Sequence, residues 1–213
     1  LSRNWSLLLR DLFNRTLAND VAIGAHDQNR GILGFAYRDT DTNLWNTLLR
    51  FETKDERDTA ALDPFTRRTQ IVSAHTNYHP NRPLTLSGHV AAKWVNERFS
   101  GVNDNFDAYL VGGRVMYDVT ERWDAGVVGN TLFGGGSQQY GVGVETGYAL
   151  IDNLWLSLGY NVTGFSDDDL VDSDYTRQGV YLRIRFKFDE KLLRGKDPQW
   201  NNTLTPGGSA RTN

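Results

Sequence analysis

Residues 177–188 read RQGVYLRIRFKF, and their side chains alternate strictly between apolar and polar character. One face holds Val180, Leu182, Ile184, Phe186 and Phe188, and the other holds Tyr181, Arg183, Arg185 and Lys187. A period of two predicts a β-strand, because successive side chains of a strand point to opposite faces. A strand with one apolar face and one cationic face is typical of transmembrane β-barrels, where lipid lies on one side and a polar lumen on the other.

The same alternation recurs along most of the chain. It predicts about ten strands, near residues 4–13, 31–38, 45–52, 69–78, 84–94, 109–118, 123–133, 139–148, 154–163 and 177–188. In residues 4–13 the period is impure, and an amphipathic helix is an alternative there. The predicted connections are short at 39–43, 79–83, 119–122 and 151–153, and longer at 14–28, 53–67, 97–105 and 164–176, with GGGSQ (134–138) as an exception. Short turns on one rim and long loops on the other are typical of outer-membrane barrels, with both termini on the periplasmic side.

Composition narrows the class of protein. The chain has 213 residues, enough for one sizeable domain, and its net charge of −3 argues against a nucleic-acid partner. It has no cysteine, so it has neither disulfides nor thiolate metal ligands. The sequence contains no run of about 18 apolar residues, so it predicts no transmembrane helix. We expect residues 1–190 to form one barrel domain and residues 191–213 a disordered periplasmic tail, in a chain that is a mature form or part of a longer protein.

Aromatic residues recur beside the short turns. The stretches AYRDTDTNLW (36–45), MYDVTERW (116–123) and GYALIDNLW (147–155) each join a tyrosine to a tryptophan across a polar turn. Tyrosine and tryptophan concentrate at membrane–water interfaces. We therefore predict an aromatic girdle formed by Tyr37, Trp45, Tyr117, Trp123 and Tyr148. The alternative is that these are ordinary aromatic residues of β-hairpins.

Alternation alone does not separate a barrel from a soluble β-sandwich, because both have one apolar face per strand. Three features favour an antiparallel up-and-down transmembrane barrel: strands longer than the usual 5–6 residues, aromatic edges to the apolar faces, and polar faces rich in glycine and small polar residues. The charged residues predicted to face the lumen are Arg50, Lys93, Arg114, Glu145, Arg183, Arg185 and Lys187. Opposite charges are expected to pair across the lumen, because an unpaired confined charge is costly. An anion-attracting pore lining is the alternative.

Residues 177–184 match the order polar, any, Gly, any, any, apolar, any, apolar. This order resembles the final strand by which bacterial outer-membrane proteins are recognised by the barrel assembly machinery. The resemblance implies an assembly signal that comprises Gly179, Leu182, Ile184, Phe186 and Phe188. One departure is that 25 residues follow Phe188, whereas such proteins usually end on an aromatic residue.

More broadly, GFAYRDTDTNLWNTLLRFE (34–52) and the stretch from Gly147 to Glu190 resemble the C-terminal barrel of large Gram-negative surface proteins with upstream repeats. The resemblance covers roughly residues 4–190. It implies a membrane anchor or translocator-like module for a larger surface polypeptide. Outer-membrane lipid and lipopolysaccharide, and a further protein chain, are the implied partners.

Few residues suggest chemistry. His75 and His89 are predicted near mid-strand on the lumen face, without an acid at catalytic spacing, so packing is the favoured interpretation over catalysis. The acidic stretch 167–174 lacks the spacing of an EF-hand and is read as a solvated loop, with Ca²⁺ binding as the alternative. We expect no catalytic residue, cofactor or metal site, and therefore not an enzyme. The alternatives to an anchor are a small porin-type channel and a soluble β-sandwich binding module.

Overall fold

The computed structural model describes residues 3–17, 25–59, 64–151, 154–165, 167, 169–170 and 178–186. These residues contain no helix long and apolar enough to cross a membrane. They form ten strands: β1 (Trp5–Leu17), β2 (Ala25–Arg38), β3 (Trp45–Asp58), β4 (Phe65–Asn81), β5 (Leu84–Phe99), β6 (Val102–Asp118), β7 (Trp123–Gly134), β8 (Ser137–Ile151), β9 (Leu154–Thr163) and β10 (Gly179–Phe186).

The ten strands form a single antiparallel sheet in the order β1 to β10, so each strand pairs with its neighbours in sequence. The prediction of an all-β, up-and-down arrangement of about ten strands is therefore confirmed. Within the described residues the sheet is not closed, because β1 and β10 each have a ladder partner on one side only. The strand predicted near residues 4–13 is a strand, and the alternative of a helix there is wrong.

The strands run further than the sequence predicted at one end of the sheet. The prediction of a long loop at 97–105 is wrong. β5 and β6 are joined by only two residues, Ser100 and Gly101. Both have positive φ, 47° and 84°, as in the tight turns that join twisted hairpins. Residues 53–58 and 25–28, also expected in loops, belong to β3 and β2. The ends of β2 and β3 consist almost entirely of polar residues, so they carry no apolar alternation for sequence reasoning to detect.

We call the end of the sheet with the turns at 39–44 and 119–122 the turn rim, and the opposite end, with Ser100 and Gly101, the loop rim. The sheet has an inner and an outer face, and the alternating burial of residues along β8 distinguishes the two. The inner face contains Gly141, Gly143, Glu145 and Gly147, all buried, and the outer face contains Tyr140, Val142, Val144 and Tyr148, all exposed. Within the described residues no second sheet covers the inner face, and only the stretch after β9 lies over part of it. The burial of the remaining inner-face residues therefore comes from the curvature of the sheet.

The distribution of polarity is inverted relative to a water-soluble protein. Glu52, Lys93 and Glu145 on the inner face are 2%, 3% and 6% exposed. Val127 and Leu182 on the outer face are 54% and 60% exposed. Soluble proteins bury apolar side chains and leave charged ones in water. This sheet buries charged side chains and exposes apolar ones, although its inner face also holds a small apolar cluster.

Glycine on the inner face gives long side chains the space they need. The clearest case is Gly159 on β9, which the register places directly opposite Tyr181 on β10. A Cβ atom added at Gly159 would lie 2.1 Å from Cζ of Tyr181, far inside van der Waals contact. The tyrosine ring therefore crosses β9 through the gap that the glycine leaves, and its hydroxyl reaches β8.

We predict that Gly159→Val lowers the free energy of unfolding by about 1–3 kcal/mol, because the new side chain displaces the Tyr181 ring. The matched control is Gly129→Val, since nothing lies within 4 Å of a Cβ at that position on the outer face. The midpoint of urea unfolding in detergent, followed by tryptophan fluorescence, measures the difference. Equal midpoints for the two variants would contradict the packing described.

Candidate functional site

The inner face carries a charge cluster centred on Glu145 of β8, which is buried. Arg114 of β6 forms an ion pair with its Oε1 atom, and the Tyr181 hydroxyl donates a hydrogen bond to Oε2 at 2.9 Å. Arg183 lies 3.5 Å from the same Oε2. The cluster ties β10 to β8 and β6 across the intervening strands. A buried carboxylate is tolerated here because cations and a hydroxyl replace its hydration.

A second cluster centres on Glu52 of β3, which is 2% exposed. Arg30 of β2 binds Oε1, and Arg50, two residues earlier on β3, binds Oε2. Arg30 and Arg50 thus share one carboxylate between them. The two clusters lie on different halves of the sheet, so each half has its own buried acid with arginine partners.

The residues that follow β9 fold onto the inner face. We call Phe165, Asp167, Asp169 and Leu170 the inward segment. Phe165 and Leu170 are buried in an apolar cluster with side chains from β4, β6 and β7. The strand members of that cluster are Ile71, Ala108, Leu110 and Leu132. The sheet thus has a small apolar core on its inner face, to which the inward segment contributes both of its large side chains.

Ion pairs hold the inward segment to three strands. Lys93 of β5 donates to Oδ1 of Asp167 at 2.6 Å and lies 3.4 Å from Oδ2 of Asp169. Arg67 of β4 donates to Asp169 at 3.0 Å, and Lys54 of β3 lies 3.5 Å from its other oxygen. Lys93 is almost fully buried, and these two carboxylates are its ion-pair partners.

Burial of Asp169 is the largest influence on its pKa and acts to raise it. The charges of Lys93, Lys54 and Arg67, together with the hydrogen bond from Lys93, outweigh burial and hold the pKa below its ordinary value. A lowered pKa in the docked state means that the ionised carboxylate stabilises docking. That contribution is complete above the ordinary aspartate pKa and is lost as the pH falls through the lowered value.

His75 and His89 lie side by side on β4 and β5 with their rings stacked, 5.5 Å between centroids and 11° between planes. On the next strands, Gly112 of β6 pairs with His89, and Asn130 of β7, which is buried, pairs with Gly112. A Cβ at Gly112 would meet both Oδ1 of Asn130 and the His89 ring, so the glycine makes room for them. Among the described residues, no group of three His, Cys, Asp or Glu side chains is arranged to hold a metal ion.

The structure places the residues predicted to face the lumen as follows. Arg50, Lys93, Arg114, Glu145 and Arg183 lie on the inner face, each in an ion pair. Arg185 shares their face on β10, opposite Trp155 in the register. Lys187 lies outside the described residues. The predicted sites thus fall into separate clusters, around Glu52, Glu145 and the inward segment.

The girdle residues Tyr37, Trp45, Tyr117, Trp123 and Tyr148 lie on the outer face at the turn rim. Each tryptophan lies opposite a tyrosine near the end of the following strand: Trp45 lies 5.4 Å from Tyr78 between ring centroids, and Trp123 lies opposite Tyr148. Trp5 and Tyr37 form another such pair, at 5.1 Å.

The third copy of the repeat departs from this pattern. Its Trp155 lies on the inner face, where the indole N–H donates to Oδ2 of Asp124 at 2.8 Å. The alternation along β9 gives this position the same face as Ser157 and Gly159, both of which are buried. This tryptophan is therefore part of the polar interior at the turn rim and not of the aromatic row.

Of the predicted assembly signal, Gly179, Leu182 and Ile184 lie on β10, with the two apolar side chains exposed on the outer face. Phe186 ends β10, and Phe188 lies outside the described residues. Sequence reasoning missed Arg30, Lys54 and Arg67 as members of ion pairs on the inner face. It also placed the acidic stretch 167–174 in solvent, whereas the side chain of Asp169 is 8% exposed and lies against three cations. No local signal distinguishes a docked aspartate from a solvated one.

Comparison of the sequence with protein-family models gives no match, and comparison with curated proteins gives no significant relative.

We predict that Lys93→Gln releases the inward segment, because Asp167 and Asp169 lose their shared buried cation. In a Phe165→Cys background, maleimide labelling of the thiol should be at least tenfold faster than with Lys93 intact, since breaking a buried pair costs about 3–5 kcal/mol. The chain has no other cysteine, so labelling reports this site alone. Arg82→Gln, at an exposed turn, is the control and should leave the rate unchanged. Equal rates in all three proteins would show that the ion pairs do not hold the segment.

We predict that docking of the inward segment is insensitive to pH from about 8 to 5 and weakens below about 4, because the ordinary aspartate pKa is about 3.9 and that of docked Asp169 is lower. Iodide quenching of a bimane dye on Phe165→Cys measures exposure across this range. Asp169→Asn should remove most of the pH dependence. A transition near neutral pH, or a profile unchanged by that substitution, would contradict this assignment.

Proposed function

We propose that this chain forms the wall of a transmembrane β-barrel in a bacterial outer membrane, where it serves as the membrane anchor or translocator-like module of a cell-surface protein. The observation that carries the proposal is the inversion of the two faces. The outer face exposes large apolar side chains on every strand from β1 to β10, whereas a soluble monomer rarely exposes a contiguous apolar patch larger than about 300–600 Å². Lipid is the solvent in which such a surface is stable.

The apolar band also has the height of a bilayer's hydrocarbon layer. On β5 it runs from Leu84, through Leu86, Val90 and Ala92, to Trp94, and polar residues follow at Asn96 and Arg98. Ten residue steps cover roughly 33 Å along a strand, and a tilt of about 40° reduces this to about 25 Å, the usual height of the lipid-facing band. The aromatic row at the turn rim marks one boundary of the band, as barrel girdles do.

A soluble β-sandwich fits these observations less well. A sandwich needs two sheets whose apolar faces pack together. The described residues form one sheet, and its apolar face is uncovered. An anchor is also better supported than a porin-type channel, because the inward segment occupies the inner face and its buried ion pairs fill space that a solute would need. We propose that lipid and lipopolysaccharide surround the barrel and that the assembly machinery recognises β10.

Closure of a barrel from this sheet requires partners for the open edges of β1 and β10. In hydrocarbon each unpaired backbone group costs several kcal/mol, so both edges must be paired. If each residue is traced to its paired residue on the next strand, the row that starts at Asn4 on the β1 side of the sheet ends at Gly179 on β10. Ten strands with the usual tilt of 35–45° require a stagger of about 12 residues on closure. We propose that the two edges pair with each other, so that Thr16 faces Gly179 and Phe13 faces Leu182.

We predict that the folded protein in detergent migrates differently on gels before and after boiling, and that Val111→Arg lowers the folded fraction. Val111 lies in the middle of the apolar band, where an arginine facing lipid costs about 2–4 kcal/mol. In water the same change at this exposed site would be harmless. Val119→Arg, at a similarly exposed site in a turn, is the control. Recovery of folded protein from the aqueous fraction without detergent, or equal behaviour of both variants, would overturn the proposed membrane location.

We predict that Phe13→Cys and Leu182→Cys form a disulfide on oxidation, because the proposed register places them directly opposite each other, within the Cβ separation that a disulfide needs. Leu9→Cys with Leu182→Cys, offset by four residues, should not cross-link. Native cysteine is absent, so no other thiol competes. Failure of the first pair to cross-link in protein that still shows heat-modifiable migration would mean that other strands complete the barrel.

A further inference from the structure

A depression of about 510 Å³ lies on the outer face close to the loop rim, between β4, β5 and β6. Its lining includes Arg68, Trp94, Asn96, Asn105, Asp107 and Tyr109. It begins where the apolar band ends, because Trp94, the last residue of the band on β5, lies opposite Asp107, and the next pair is Asn96 and Asn105. A molecule seated here would lie at the boundary between hydrocarbon and headgroups.

The two halves of the depression differ in chemistry. On the side of the band, Trp94 and Tyr109 present exposed aromatic rings, which pack well against the C–H faces of a sugar. On the side of the rim, the amides of Asn96 and Asn105 are hydrogen-bonded to each other and offer donors and acceptors for hydroxyl groups, and the carboxylate of Asp107, opposite Trp94, adds further acceptors. Aromatic rings beside amides and a carboxylate suit a carbohydrate better than they suit a purely apolar ligand.

Arginines add an anion-binding component. Arg57, Arg68 and Arg98 are all exposed on the outer face of β3, β4 and β5, within two neighbouring rows of the register. Arg68 donates through Nε to Asp55 at 2.6 Å, so one acid of this region is already paired. The planar fork of an arginine matches the oxygens of a phosphate group. Three such side chains at headgroup level are complementary to a phosphorylated ligand.

We propose that this depression binds the phosphorylated sugar headgroup of a glycolipid, with the sugar against Trp94 and Tyr109 and the phosphate toward Arg57, Arg68 and Arg98. The acyl chains would then follow the apolar band below, so one amphiphile satisfies both parts of the surface. This inference rests on the proposed membrane location, with the loop rim toward the leaflet that holds the glycolipid. It adds a specific site to an otherwise general contact with lipid.

The test uses the full chain in nanodiscs that contain a bisphosphorylated glucosamine-disaccharide lipid, or its dephosphorylated form, with native mass spectrometry to count retained lipid. The wild-type protein should retain the phosphorylated lipid preferentially. The triple variant Arg57→Gln, Arg68→Gln, Arg98→Gln should retain it at least tenfold less well, since charge-assisted hydrogen bonds are lost. Trp94→Ala should weaken retention of both lipids. The control with the same change in charge is Arg3→Gln, Arg82→Gln, Arg122→Gln at the turn rim.

Equal retention by the two triple variants would overturn the inference, as would displacement of the lipid by about 10 mM inorganic phosphate, which would indicate a site for a free anion. If the wild-type protein shows heat-modifiable migration but retains both lipids equally, the glycolipid site alone is refuted. Loss of that migration would refute the membrane location itself, so the two failures are distinguishable.

Discussion

A single curled sheet can hold charged side chains on its buried face only if every charge finds a partner there, because an unpaired ion in a confined interior costs several kcal/mol. Most of the arrangement on the inner face follows from this constraint. Glu145 is shared by Arg114, Tyr181 and Arg183, and Glu52 is shared by two arginines. Glycine at positions such as Gly159 provides the space through which those long side chains reach each other.

The same constraint explains why the chain returns to the inner face after β9. Lys93 is buried at a level where the neighbouring strands present Ile71 and Ala108, so the sheet itself supplies no acid beside it. Asp167 and Asp169 bring the missing negative charge from outside the sheet. Phe165 and Leu170 accompany them into an apolar cluster, which adds hydrophobic burial to the ion pairs. A segment held in both ways fills the interior, which agrees better with an anchor than with an open pore.

Much of the fold was predictable, because alternation within a strand is a local property. The ten strands, their order and the assignment of residues such as Arg114 and Glu145 to one face follow from a period of two. The polar ends of β2, β3, β5 and β6 were not predictable in this way, since hydrogen-bonded strand and solvated loop have the same composition there. Trp155 belongs to the third tyrosine-turn-tryptophan repeat, but the period of two along β9 places it on the inner face with Ser157 and Gly159.

The sequence by itself determined which side chains share a face, because that depends only on position along a strand. Only the tertiary structure decided which charges pair. Arg67 and Asp169 lie 102 residues apart, and Lys93 and Asp167 lie 74 apart, so no spacing rule connects them. Their contact depends on the curvature of the sheet and on the direction in which the chain leaves β9. Both arise from the packing of the whole sheet, and the alternation pattern is compatible with many pairings.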